Sequence, residues 1–299
     1  MPEIGRLLTA MVTPFTAEGA VDYEQAKRLA LALLDSGSDG AVVSGTTGET
    51  PTLSHEEKVR LFAEVKAAVG QRGVVVAGTG NYNTAESIEL SREAERAGVD
   101  ALLLTVPYYN KPPQEGLYRH FQAIAEATGL PCILYNIPGR TGVNMAADTT
   151  IRLSRVPNIV GVKEASGNLE QIAAIIDGAD EGFRVWSGND GDTLHILALG
   201  GYGVICVVSH LVGLQMKEMI TRFLAGEVEE AARIHLRLLP LMTSLMTLSS
   251  NPIPIKCALN QVGFRVGGLR LPLCEPDQAT LDKIAAEVAR HKIDLPVRV

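Results

Sequence analysis

Four cysteines stand in 299 residues, Cys132, Cys206, Cys257 and Cys274, far apart and without a Cys-x-x-Cys spacing. A disulfide framework and a paired-cysteine motif both lack their material, so these read as reduced core side chains of a cytoplasmic protein. No run of Lys or Arg occurs, and the formal net charge is -7. That removes the electrostatic footprint of a nucleic-acid or anionic-membrane surface and leaves a small molecule as the expected partner. An uninterrupted apolar span is missing too. The most membrane-like window, HILALGGYGVICVVSHL at 195–211, is broken by Gly200, Gly201 and Gly203, and reads as helix, turn, buried strand. At the start of the chain, Glu3 and Arg6 precede a short apolar stretch that soon meets Pro14. This is the wrong pattern for a secretion signal, so the chain is expected to begin in its fold.

What is present is ordinary globular material, 46% hydrophobic and 20% charged, enough for a sizeable core. Eight short apolar runs recur through the first 210 residues: LLTAMVTPF, GAVVSGTTG, VVVAGTG, ALLLTVPYY, CILYNIPG, IVGVKEAS, RVWSGND and GVICVVS. Near-continuous rather than alternating apolarity means burial on both faces, the mark of parallel strands covered by helices. Between them lie amphipathic stretches such as YEQAKRLALALLDSG and EEKVRLFAEVKAAVG, and Ser54 with Glu57, and Asn83 with Glu86, have capping-box spacing. Eight βα units favour a (β/α)8 TIM barrel over an open doubly wound sheet, although periodicity alone does not show closure. Residues 1–210 would hold the barrel strands and most barrel helices. Residues 211–299 turn helical and would supply the last barrel helix and a C-terminal helical appendage.

In such a fold the active site lies where strands end. That rule selects Thr46 and Thr47, Thr79, Tyr108 to Asn110, Tyr135, Asn136 and Arg140, Lys163, and Ser187 to Asn189. Lys163 closes an apolar run, where its ammonium either snorkels into solvent or is held dry. Complete burial lowers a lysine pKa by up to about 3 to 5 units, and a neutral amine forms a Schiff base with a carbonyl compound. A mouth lined with hydroxyls favours the reactive reading. The GTTGET turn, 45–50, either cradles a small carboxylate on its amides and hydroxyls or is a plain βα turn. Tyr135 is a proton carrier or a core tyrosine, and Arg140 a carboxylate clamp or a solvated loop charge. Glu164 should face away from Lys163 and act behind the site or at the surface. Lys256, in NPIPIKCALN, is read as structural. The P-loop ending and the third glycine of a dinucleotide fingerprint are absent. Asp190 and Asp192 lack the order of a calcium loop, so helix capping is expected of them and no metal is.

GTTGE, VPYYNKP, YNIPGRTG, GVKEASG and SSNPIPIK, in this order, together resemble the dihydrodipicolinate synthase family of lysine-dependent pyruvate aldolases over essentially the whole chain. The resemblance implies a cofactor-free lyase that condenses pyruvate with L-aspartate 4-semialdehyde in lysine and diaminopimelate biosynthesis. Lys163 would be its Schiff-base lysine and Tyr135 its proton shuttle. Thr46, Tyr135 and Tyr109 would form a relay, Tyr109 reaching in from a neighbouring subunit of a homotetramer. Thr47 would bind the pyruvate carboxylate and Arg140 that of the semialdehyde, with Gly188 and Ile205 lining the site. Lysine-inhibited members bind lysine at positions matching Thr50, His55, Lys58, Tyr82, Glu86 and Tyr108. Their bacterial examples have histidine where Lys58 stands and asparagine where Tyr82 stands, so a second cation and a bulky ring are expected to weaken that site here. Two other readings remain: a pyruvate aldolase or lyase acting on another aldehyde or sugar acid, and a non-catalytic keto-acid-binding barrel.

Overall fold

A computed structural model describes residues 3–297. In chain order its elements are β1 (Leu7–Ala10), α1 (Tyr23–Asp35), β2 (Gly40–Val43), α2 (His55–Val69), β3 (Val74–Gly78), α3 (Thr84–Arg96), β4 (Ala101–Thr105), α4 (Gln114–Glu126), β5 (Cys132–Asn136), α5 (Pro138–Thr141), α6 (Ala147–Leu153) and β6 (Ile159–Glu164). They continue with α7 (Leu169–Gly178), β7 (Arg184–Ser187), α8 (Thr193–Ala198), β8 (Gly203–Cys206), α9 (Ser209–Leu224), α10 (Val228–Thr247), α11 (Ile253–Gln261) and α12 (Gln278–Val288). Each apolar run of the sequence contains one strand. All neighbours are parallel, and β1 pairs with both β2 and β8, with Leu7 opposite Val204, so the sheet closes into the TIM barrel expected over the open sheet.

The continuous apolarity of the strands has a simple cause: each sends alternate side chains into two different cores. Leu8, Val42, Val76, Leu103, Ile133, Tyr135, Trp186 and Ile205 fill the barrel interior. Leu7, Val43, Val75, Leu102, Leu134, Val162 and Val204 pack outward against the helices. On β6 the alternation puts Val162 outward, so Lys163 turns in. The capping box at Ser54 and Glu57 is complete. At Asn83 only half forms: its side chain accepts from Ala85 and Glu86 amides, while Glu86 takes the Asn83 side-chain amide instead of the backbone.

Cys132, Cys206 and Cys257 are buried thiols, whereas Cys274 is exposed, contrary to its expected core place. No helix among the described residues is long and apolar enough to cross a membrane.

Candidate functional site

Parallel β5 and β6 set Tyr135 directly opposite Lys163. Both side chains turn inward at the end of the barrel where the strands finish, and Lys163 Nζ stands 4.2 Å from the centre of the Tyr135 ring. Lys163 is only 6% exposed, so the snorkelling alternative fails. Register also places Lys163 opposite Trp186, whose indole N–H donates to the Gly5 carbonyl at 3.0 Å and closes the interior beneath.

The loop after β2 brings Thr47 in, buried, and Thr46 beside it, half-buried. Thr47 Oγ1 accepts a hydrogen bond from Asn251 Nδ2 at 3.0 Å, and Arg140 Nη2 donates to the Asn251 carbonyl at 3.3 Å. One buried asparagine, at the foot of α11, therefore joins the two residues expected to hold carboxylates. Its Oδ1 has no partner among the described residues. Sequence pattern does not single out Asn251, although it lies in SSNPIPIK, because nothing local marks a contact 204 positions away.

Gly188 follows β7, where its N–H donates to the Glu164 carbonyl at 2.7 Å. A Cβ there would lie 2.7 Å from that of Ala165, so glycine is needed for the close approach. Ile205 points into the interior core. Thr79 instead bonds Ser91 on α3, 2.9 Å away, and is drawn off the site.

Glu164 faces the helix layer as its strand parity requires, and is fully buried there, not at the surface. It accepts from Asn136 Nδ2 and from the Ser166 amide. Burial raises its pKa from the ordinary carboxylate value, and those bonds pull it back. Asp190 and Asp192 depart from the expected helix-capping role, for neither side chain caps α8. Asp190 is buried and accepts from the amides of Val207 and Val208, because a dry carboxylate takes the nearest unpaired donors, here in the turn after β8. Burial raises its pKa, while those amides and the nearby Lys163 counteract the rise.

Tyr109 is 90% exposed with φ +70°. Among the described residues the four non-glycine positions with positive φ, Ser44, Glu49, Tyr109 and Lys111, all follow β2 or β4. Strain is thus concentrated in two loops at the strand-end mouth.

The six positions matched to an effector site lie along this rim. Tyr82 and Tyr108 meet edge to face at 5.1 Å, and Glu86 acts electrostatically on both Lys58 and Tyr108. Burial lowers the Lys58 pKa, with Glu86 working against it. His55 is engaged by Glu93 at 2.5 Å, and Thr50 accepts from Ser44. Among the described residues no group of three His, Cys, Asp or Glu side chains could hold a metal ion.

The model of the dihydrodipicolinate synthetase family matches residues 3–291. A 4-hydroxy-tetrahydrodipicolinate synthase from Dehalococcoides mccartyi is 61% identical over 298 residues, covering 100% of both chains. Among solved structures, the dihydrodipicolinate synthase of Bacillus anthracis superposes with a TM-score of 0.94 at 45% identity, covering 97% of this chain and 99% of that one. The Cyanidioschyzon merolae enzyme, solved with lysine bound, gives 0.94 at 46% identity, covering 96% and 98%. With barrel, sequence and structural likeness agreeing over nearly its whole length, this chain belongs to the dihydrodipicolinate synthetase family.

Proposed function

We propose that this chain is a Schiff-base-forming lyase that condenses pyruvate with L-aspartate 4-semialdehyde, the reaction of a 4-hydroxy-tetrahydrodipicolinate synthase. The observation that carries the reading is the dry pairing of Lys163 and Tyr135 across β5 and β6. The amine attacks the keto carbon of pyruvate, and water leaves as the iminium forms. The iminium accepts the electron pair freed when the pyruvate methyl loses a proton, giving an enamine whose carbon attacks the aldehyde. No metal or organic cofactor enters these steps.

Tyr135 carries the proton to and from the departing oxygen, relayed by Thr46 and by Tyr109 of a second copy of the chain. The solvent-facing Tyr109 is free to make that contact, and a homotetramer built from dimers would supply the second copy. Thr47 holds the pyruvate carboxylate and Arg140 that of the semialdehyde, while the Gly188 backbone and Ile205 shape the walls. The three buried, unpaired thiols fit a cytoplasmic enzyme.

Arg140→Ala separates this reading from a pyruvate aldolase with another partner. Condensation with the semialdehyde should fall by about 100-fold or more, as expected for loss of a charge-assisted clamp, while pyruvate still forms its imine. An unimpaired Arg140→Ala enzyme would transfer the reading to the aldolase with a different aldehyde.

A further inference from the structure

Lys256 is the largest fully buried charged side chain among the described residues, and its partner Glu49 belongs to the GTTGE turn. The ion pair spans 2.8 Å with side-chain exposures of 1% and 0%. Replacing such a pair by apolar groups of similar size is often neutral or stabilising, so stability alone does not account for it. Its hydrogen bonds tie the GTTGE turn to the segments packed around it. Lys256 Nζ donates to Glu49 Oε1 and, at 3.0 Å, to the Thr13 carbonyl, with the Phe15 ring 4.2 Å away. The Thr13 hydroxyl donates in turn to the Gly48 carbonyl at 2.6 Å. Glu49 Oε2 accepts the Arg270 amide at 3.1 Å. Glu49 itself has φ +56°, a conformation that L side chains adopt only when held.

From these contacts we infer that the Lys256–Glu49 pair, with Thr13, is a positioning device that fixes the Thr46–Thr47 turn for the carboxylate of the keto acid; this rests on the function proposed above. The structural role expected of Lys256 is thereby extended to the site. The helix α11 holds the turn at two places, through Lys256 on Glu49 and through the preceding Asn251 on Thr47. Loss of the pair lets Gly48 and Glu49 relax and moves the Thr47 hydroxyl, while Lys163 stays on its own strand. Keto-acid affinity should therefore suffer more than the chemistry at the amine.

The test is borohydride trapping of pyruvate on Lys163 over a range of pyruvate concentrations, with thermal unfolding measured in parallel. In the double variant Lys256→Met with Glu49→Leu, half-maximal labelling should need about tenfold more pyruvate, with the labelling rate at saturation changed less than about threefold, the signature of lost binding alone. The melting temperature should stay near that of the wild type. A purely structural pair would be rescued by the apolar replacement in both respects, so an unchanged pyruvate dependence overturns the inference. Should that variant fail to fold, Thr13→Val keeps both charges and removes only the bond to Gly48. It should weaken pyruvate half-saturation several-fold, and an unaltered value refutes the device. Absence of any adduct in the wild type would instead strike the functional reading, and the inference with it.

Discussion

Acidification should weaken this barrel, in part through one buried imidazole. His210, fully buried in the first turn of α9, ties the end of β1 to the end of β8. Its Nε2 accepts the Val12 N–H at 3.2 Å and its Nδ1 donates to the Val207 carbonyl at 2.8 Å. Those bonds require the neutral ring, since a proton on Nε2 would confront the Val12 donor. Burial lowers the pKa from 6.5 to about 4, with the bond to Val207 opposing it. The folded value is thus below the unfolded one, and the unfolded chain takes up the proton first. Stability is fully present above about pH 6.5 and is lost progressively down to about pH 4. A depression of about two and a half units at 1.36 kcal/mol per unit makes the full loss about 3 kcal/mol. His120, also lowered to about 4 by burial, adds a parallel loss, so the measurement must be differential. Urea unfolding followed by circular dichroism should be compared for the wild type and His210→Gln, whose amide can offer one acceptor and one donor but cannot titrate. The variant should be less stable at neutral pH, and its deficit should shrink by about 3 kcal/mol as the pH falls through this window. Parallel stability curves would refute the assignment of a neutral, depressed His210.

Trp186→Phe removes the bond to Gly5 and leaves a void in the interior; denaturation should show a loss of about 2 to 4 kcal/mol, and a loss below about 1 kcal/mol would mean that the floor of the site repacks. Gly161→Ala would put a Cβ 2.2 Å from the Arg184 carbonyl and 2.6 Å from Trp186 on the strand that carries Lys163. It should cost about 1 to 3 kcal/mol or more and depress pyruvate imine formation; wild-type stability would contradict the rigidity assigned to β6. Free lysine should inhibit weakly or not at all, because Lys58 and the bulky Tyr82 occupy the matching rim; half-maximal inhibition at sub-millimolar lysine in a steady-state assay would refute this.

The barrel was legible because parallel strands buried on both sides write themselves as apolar runs, and closure needed only the pairing of β1 with β8, which periodicity cannot express. Lys163 was legible as an anomaly of burial. Its partner was less so: residue order puts Tyr135 on the preceding strand, but only register, with a shift at Cys132 and Ile133, sets it opposite. Long-range polar contacts were illegible. Asn251 reaches Thr47 and Lys256 reaches Glu49 across more than 200 residues, so local pattern gave neither. Asp190 was misjudged for a related reason, since spacing suggests its own helix whereas burial drives it to amides beyond β8.

Lys163 is the proposed nucleophile. Sodium borohydride reduction in the presence of pyruvate, followed by peptide mass mapping, tests it most directly. A reduced pyruvate adduct is expected on the peptide containing Lys163, lost in Lys163→Ala, with Lys256 unmodified because its ammonium is held by Glu49 and Thr13. No adduct, or one carried by a different lysine, would contradict it.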